Sequence, residues 1–152
     1  MVDKDKKLGF ESLSCYQHSL KLLEAAYRMA INLPEHEKYN LSSQLRRSAL
    51  STLLNIAEGY GRYHFLDKLR YFSIARGSLS ETLSAFICAY QIGYIDENQL
   101  TWIRNLESEA EKSLNGYMNF IRRQKVGEIE FGSKYINEIS NSYYIPDSTE
   151  EV

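Results

Sequence analysis

The stretch FLDKLRYFSIARGSLSETLSAFICAYQIG, residues 65–93, contains no proline and ends on a glycine. Its apolar residues Phe65, Leu69, Phe72, Leu79, Leu83, Phe86 and Tyr90 recur at helical spacing. The spacing predicts one long helix from about Phe65 to Ile92, stopped at Gly93, where a C-terminal glycine commonly ends a helix. Beside the apolar face runs a row of small residues, Ser73, Gly77, Ser80, Ser84 and Cys88. Small side chains let helix axes approach closely. A mid-helix glycine costs about 1 kcal/mol relative to alanine, so Gly77 is read as a mark of such an approach. Arg76 also falls inside the apolar face by helical angle. Either the face is open there, or Arg76 is paired with a carboxylate such as Glu58 or Glu81.

Working outward, the prolines fall only at positions 34 and 146, which leaves most of the chain free for long helices. Leu13, Tyr16, Leu20, Leu23, Tyr27 and Ile31 give a first amphipathic helix over about 13–31, broken by Pro34. A second opens near Asn40, with Ser42 as the other candidate N-cap, and carries Leu41, Leu45, Ala49, Leu53, Ile56 and Tyr60 on one stripe. Gly59-Tyr60-Gly61 is expected to end it near Glu58. Leu50 and Leu54 lie on the other side of this helix, bracketed by Arg47 and Glu58. A helix apolar on two sides needs two partners, and the second is either another helix of the same chain or a neighbouring subunit. Asp96 caps a fourth helix through Leu100, Ile103, Leu106, Ala110, Leu114, Tyr117 and Ile121. Its terminal Arg122, Arg123 and Lys125 suit the negative end of the helix dipole. Short connections between long helices make neighbours antiparallel. The fold class is therefore all-α, an up-down four-helix bundle over 1–125 with a short peripheral C-terminal segment over 126–152, docked or flexible.

Composition narrows the functional classes. The chain has 152 residues, 43% hydrophobic and 25% charged, enough for one domain with a sizeable core. No apolar run reaches the ~18–20 residues of a membrane span, and the start has no apolar leader core, so a cytoplasmic protein is expected. Net charge is −2, but residues 126–152 hold six acids against Lys134 alone, leaving a mildly basic body. Within 40–80, Arg46, Arg47, Arg62, Lys68, Arg70 and Arg76 face only Glu58 and Asp67.

Catalytic and metal signatures are missing from the pattern. None of His18, His36 and His64 has an acidic residue three positions earlier, so the Glu-x-x-His pairs of di-iron bundles are not present. Cys15 and His18 are spaced for one helix face, but no second pair completes a site, and both are expected to be structural or solvent-facing. Gly59-Tyr60-Gly61-Arg62 begins like a dinucleotide fingerprint but follows a helix rather than a strand. Glu58 and Glu81 are better read as hydrogen-bonding groups than as an acid/base pair. The expectation is no catalysis, no cofactor and no metal. The one segment with binding chemistry runs from Tyr60 to Tyr71, where Tyr60, Tyr63, Phe65 and Tyr71 interleave with Arg62, His64, Lys68 and Arg70. Cations neutralise phosphates and aromatic faces stack on unpaired bases. Arg46, Arg47, Arg62, Lys68 and Arg70 are the candidate nucleic-acid contacts, set against the plainer reading of a core edge and a solvated helix start.

Three ordered motifs carry a resemblance: Gln44-Leu45-Arg46-Arg47-Ser48-Ala49, then Asn55-Ile56-Ala57-Glu58-Gly59-Tyr60-Gly61-Arg62, then Ile74-Ala75-Arg76-Gly77-Ser78-Leu79-Ser80-Glu81-Thr82. Over roughly residues 8–125 the chain resembles the bacterial four-helix-bundle proteins encoded in intervening sequences of 23S ribosomal RNA genes. More distantly it is similar to the accessory variability proteins of diversity-generating retroelements. The resemblance implies a left-handed bundle without catalytic activity, commonly a ring-like homopentamer, with RNA as the supposed partner. The alternative it implies is a scaffold that binds a reverse transcriptase and its RNA. Asn55, Glu58, Gly59, Arg62, Gly77, Ser78 and Glu81 stand at signature positions and are read as architecture: glycines for chain reversal and close packing, polar groups for buried hydrogen bonds or subunit contacts. Leu50 and Leu54 join them as self-association residues. Asn40 stands where the family favours glycine, a mild change because asparagine tolerates the left-handed backbone.

Overall fold

The computed structural model describes residues 9–125. The extension over 126–152 lies outside the described residues. After a short 3₁₀ turn at Gly9–Ser12, four helices follow: α1 (Ser14–Asn32), α2 (Leu41–Gly61), α3 (Phe65–Ile92) and α4 (Glu97–Gln124). Each packs on its neighbour in sequence, and α4 closes against α1. The architecture is the up-down four-helix bundle, with no strand among the described residues.

Local chemistry sets the helix ends. Gly93 adopts φ 92°, and its N–H donates back to the α3 terminus. Asp96 and Gln99 form a reciprocal capping box that starts α4. The start of α2 works differently from the sequence expectation. Asn40 holds the cap position at φ −115°, outside the left-handed region, and its side chain makes no cap bond. The buried Glu37 carboxylate does this work instead, accepting from the Leu41 N–H and the Asn40 amide, each at 3.2 Å. Tyr94 Oη donates to the same carboxylate and also meets His36 Nε2 at 3.0 Å. The α1–α2 and α3–α4 connections are thereby tied together at one end of the bundle. Ser42 turns to α1, donating to the Ala30 carbonyl.

The core is built on Phe72, Phe86, Leu22, Leu45, Ile56, Leu79, Leu114 and Met118, all fully buried. Each such side chain contributes roughly 1.5–3 kcal/mol relative to an exposed one. The stripes expected for α2, α3 and α4 are largely the buried ones. On α1 the buried face is Cys15, Ser19, Leu22, Ala25, Ala26 and Ala30. The expected stripe is rotated to the margin, leaving Tyr27 and Ile31 exposed. Small side chains carry little hydropathy but let α1 seat close against its neighbours.

The two glycine roles are also exchanged. Helix α2 continues through Gly59 to Gly61 rather than stopping at Glu58. A Cβ on Gly59 would lie 2.8 Å from Phe72 Cε1 and 3.1 Å from the Lys68 carbonyl, so Gly59 is the close-approach glycine. A Cβ on Gly77 would meet nothing within 4 Å, so none of the described residues packs closely there. The face around Arg76 is open: Arg76 is exposed and donates to Asn115 Oδ1 of α4 at 3.3 Å, not to Glu58 or Glu81.

One core position is electrostatically out of place. Glu107 of α4 is buried. Burial, then the nearby Glu111 carboxylate, raise its pKa above the ordinary value of 4.5. An acid whose folded pKa is raised stabilises the fold below its unfolded pKa and loses that contribution as pH rises through the folded value. Glu107→Gln is therefore expected to raise Tm by a few degrees at pH 7. Thermal melts across pH should find the gain vanishing below about pH 4.5, where the wild-type acid is neutral too.

Candidate functional site

Helices α2 and α3 are stitched by a polar ladder. Thr82 Oγ1 and Ser48 Oγ lie 2.9 Å apart, Ser51 Oγ and Ser78 Oγ 2.8 Å, and Asn55 Nδ2 donates to the Ser51 carbonyl at 2.8 Å. Ser78 is buried and bonded across to α2, while Asn55 is half-buried and bonds back to Ser51 within its own helix. The ladder also fixes the register, setting Ser51 opposite Ser78. In that register Glu58 and Glu81 are separated by roughly ten residues along the pair, about 15 Å. That is too far for a shared acid/base role.

Among the described residues, the outer side of this helix pair is left partly exposed. Leu50 and Leu54 are 39% and 60% exposed, and Ile74 of α3 is 43% exposed. Gly77 lies beside Ile74 as a bare stretch of backbone, and Glu81 is exposed one turn further on. Arg47 and Glu58 sit at the two ends of the α2 part. Sequence reading finds Leu50, Leu54 and Gly77. It misses Ile74, whose place on this face depends on the α2–α3 register.

The basic candidates do not form one patch. Arg46, half-buried, and Arg47, exposed, lie near the start of α2. Arg62 lies sixteen residues on, about 24 Å along the helix. Arg62 pairs with Glu58, donates to Tyr71 Oη at 2.8 Å and stacks over the Tyr71 ring at 4.7 Å. The hydrogen bond that Arg62 donates to the Glu58 carboxylate raises the Arg62 pKa and keeps the guanidinium charged. Lys68 Nζ donates to the Tyr60 carbonyl at 2.7 Å and lies over the Tyr60 ring at 5.6 Å, and burial lowers its pKa. Both side chains close the α2–α3 turn. Arg70 is half-buried with its guanidinium 5.9 Å from the Tyr71 ring. The interleaved segment is thus first a structural lock, in which cation–π contacts and a carbonyl cap hold two helices. Tyr63 is more than half exposed.

The other candidate pair lies on α1. Cys15 is in the core, and burial pushes its thiol up to about 11, while His18 is half-buried.

Residues 11–116 match the family model described as 23S rRNA-intervening sequence protein. The chain belongs to this family. A solved structure from Bacteroides thetaiotaomicron, described as a protein with unknown function from the S23 ribosomal protein family, has a TM-score of 0.64 to this chain. It is 24% identical, with 69% of this chain and 95% of that one covered, and supports the fold. No curated protein matches the chain. No described helix is long and apolar enough to cross a membrane.

Proposed function

We propose that this intervening-sequence protein is a non-enzymatic, self-associating bundle that acts in the cytoplasm as an RNA-binding accessory factor. Its working form is a closed ring, with five copies as the expected number. The α2–α3 outer face carries the reading: Leu50, Leu54 and Ile74 are partly exposed beside a glycine whose added Cβ would meet none of the described residues within 4 Å. A second copy supplies the missing partner. The exposed backbone at Gly77 lets its helix come close, and the charges of Arg47 and Glu81 at the margin favour one orientation over others.

RNA binding rests on the two separate basic places on each chain. A ring repeats both places around its circumference, and a flexible polyanion spans the ~24 Å between them. Arg62 and Lys68 close the α2–α3 turn, and the contacts are assigned to Arg46, Arg47 and Arg70, the last of which also lies over the Tyr71 ring. Reversing these three charges together should weaken RNA binding and reduce the slope of log K against log salt by about 2 for a single strand. Filter binding or fluorescence anisotropy over a salt series reads this directly. A wild-type protein with no salt-sensitive RNA association at low ionic strength overturns the RNA half and leaves self-association standing.

A further inference from the structure

On the side of the bundle opposite the α2–α3 face, a cavity of about 270 Å³ opens between α1 and α4. Its apolar walls are Met29, Leu33, Phe86, Ile95 and Ile103, with Trp102 on one side. Phe86 and Ile103 belong to the core, whereas Trp102 is 52% exposed, so the indole stands between core and solvent. Ligand pockets commonly measure ~300–1,000 Å³, so this one suits a small ligand. An apolar cavity of roughly 150 Å³ takes a benzene ring. The larger space here accommodates a fused pair of rings, lying offset against the indole.

Charge at the cavity has one sign. Among the described residues that line it, Arg28 alone is charged, and none is a carboxylate. The recorded ion pair of Arg28 is a 4.0 Å contact with Glu24 in which both side chains are mostly in water. Such pairs hold weakly and exchange readily for a better acceptor. Gln99 supplies a second donor. Its Oε1 accepts from the Asp96 N–H at 2.9 Å, which occupies the acceptor end and leaves Nε2 to donate. Tyr94 stiffens the wall it contributes, because its hydroxyl donates to the Glu37 carboxylate at 3.1 Å and meets His36 Nε2 at 3.0 Å. Apolar walls with a few polar groups to fix orientation are what a small-molecule site requires.

We propose that this cavity binds a small aromatic carboxylate, with its rings against Trp102 and the aliphatic walls and its carboxylate on Arg28 and the Gln99 amide. The rings account for the apolar volume beside an indole. The carboxylate matches the single cation and the spare amide donor. The site lies on α1 and α4, so it stands whether or not the α2–α3 face joins copies of the chain.

Naphthalene-2-carboxylate carries both the rings and the charge. Titration calorimetry on the full chain should give one site per chain with a Kd of roughly 0.1–1 mM. Naphthalene-2-carboxamide keeps the rings without the charge and should bind about tenfold more weakly. Hexanoate keeps the charge without the rings and should be weaker than the naphthoate as well. Arg28→Gln, a change at an exposed position, should abolish the preference for acid over amide while the amide's own affinity stays the same. Trp102 is the only tryptophan. With 5-fluorotryptophan in its place, its one fluorine resonance should shift along the same binding curve, which locates the ligand. Any of three results overturns the proposal: no heat and no shift at about tenfold above that Kd, equal affinity for acid and amide in the wild type, or binding heat without a shift at Trp102.

Discussion

Leu50→Glu/Leu54→Glu should reduce the protein to a single 17.7 kDa species without unfolding it. Both leucines are partly or largely in water within one chain, at 39% and 60% exposure. Polar replacements there cost the isolated bundle little, since surface substitutions usually stay within about ±0.5 kcal/mol. In an assembly the same change buries two carboxylates against an apolar face. That costs several kcal/mol for each charge left unpaired. The split between readouts is therefore the test: unchanged helicity and Tm for the separated chain, with mass falling in light scattering. Should the variant unfold instead, the leucines belong to the core. Should it keep the mass of the wild type, the contact lies elsewhere. Gly77→Arg gives an independent check, because a Cβ there meets none of the described residues within 4 Å, yet the long side chain would stand in the way of a second helix.

The second large effect falls on the other glycine. Gly59→Val should destabilise the fold by about 2–3 kcal/mol, because overpacking a filled site costs roughly 1–3 kcal/mol and the branched side chain must also displace Phe72. A Cβ at this position lies 2.8 Å from a ring carbon that is fully buried and 3.1 Å from a backbone carbonyl, so neither neighbour yields easily. Gly59→Ala sets the helix propensity gain of about 1 kcal/mol against the same clash and should still lose. Gly77→Ala meets no clash and keeps the gain. In denaturant melts of the separated chain, Gly59→Ala should fall below wild type and Gly77→Ala should rise above it. The reverse order would mean that the close approach of helices within the chain occurs at α3, as the sequence pattern alone suggests.

That pair of glycines marks where sequence reading succeeds and where it stops. The α3 boundaries and both caps around the α3–α4 connection are written in local chemistry, Gly93 at the C-terminus and Asp96 with Gln99 at the N-terminus, and need no tertiary context. The large apolar stripes of α2, α3 and α4 are likewise visible, because period 3.6 with leucine and phenylalanine is a strong signal. On α1 the tightly packed face consists of Ala, Ser and Cys with a single leucine. The bulkier Tyr and Ile residues mislead, since bulk is what a hydropathy pattern weighs. Glu37 escapes as the cap of α2 because its 3₁₀ turn and its tie to Tyr94 join residues far apart in the chain. Arg62 and Lys68 look like a polyanion site for a similar reason. Nothing local in the sequence says that Tyr71 and the Tyr60 carbonyl already occupy them.

The central claim is that the α2–α3 outer face of one copy is covered by another, and the molecular mass of the untouched protein tests it most directly. Sedimentation or light scattering at micromolar concentration should give a discrete assembly, near five copies or roughly 88 kDa for a closed ring, and no dominant 17.7 kDa species. A single monomeric species under those conditions, with Leu50, Leu54 and Gly77 open to solvent, would contradict the account.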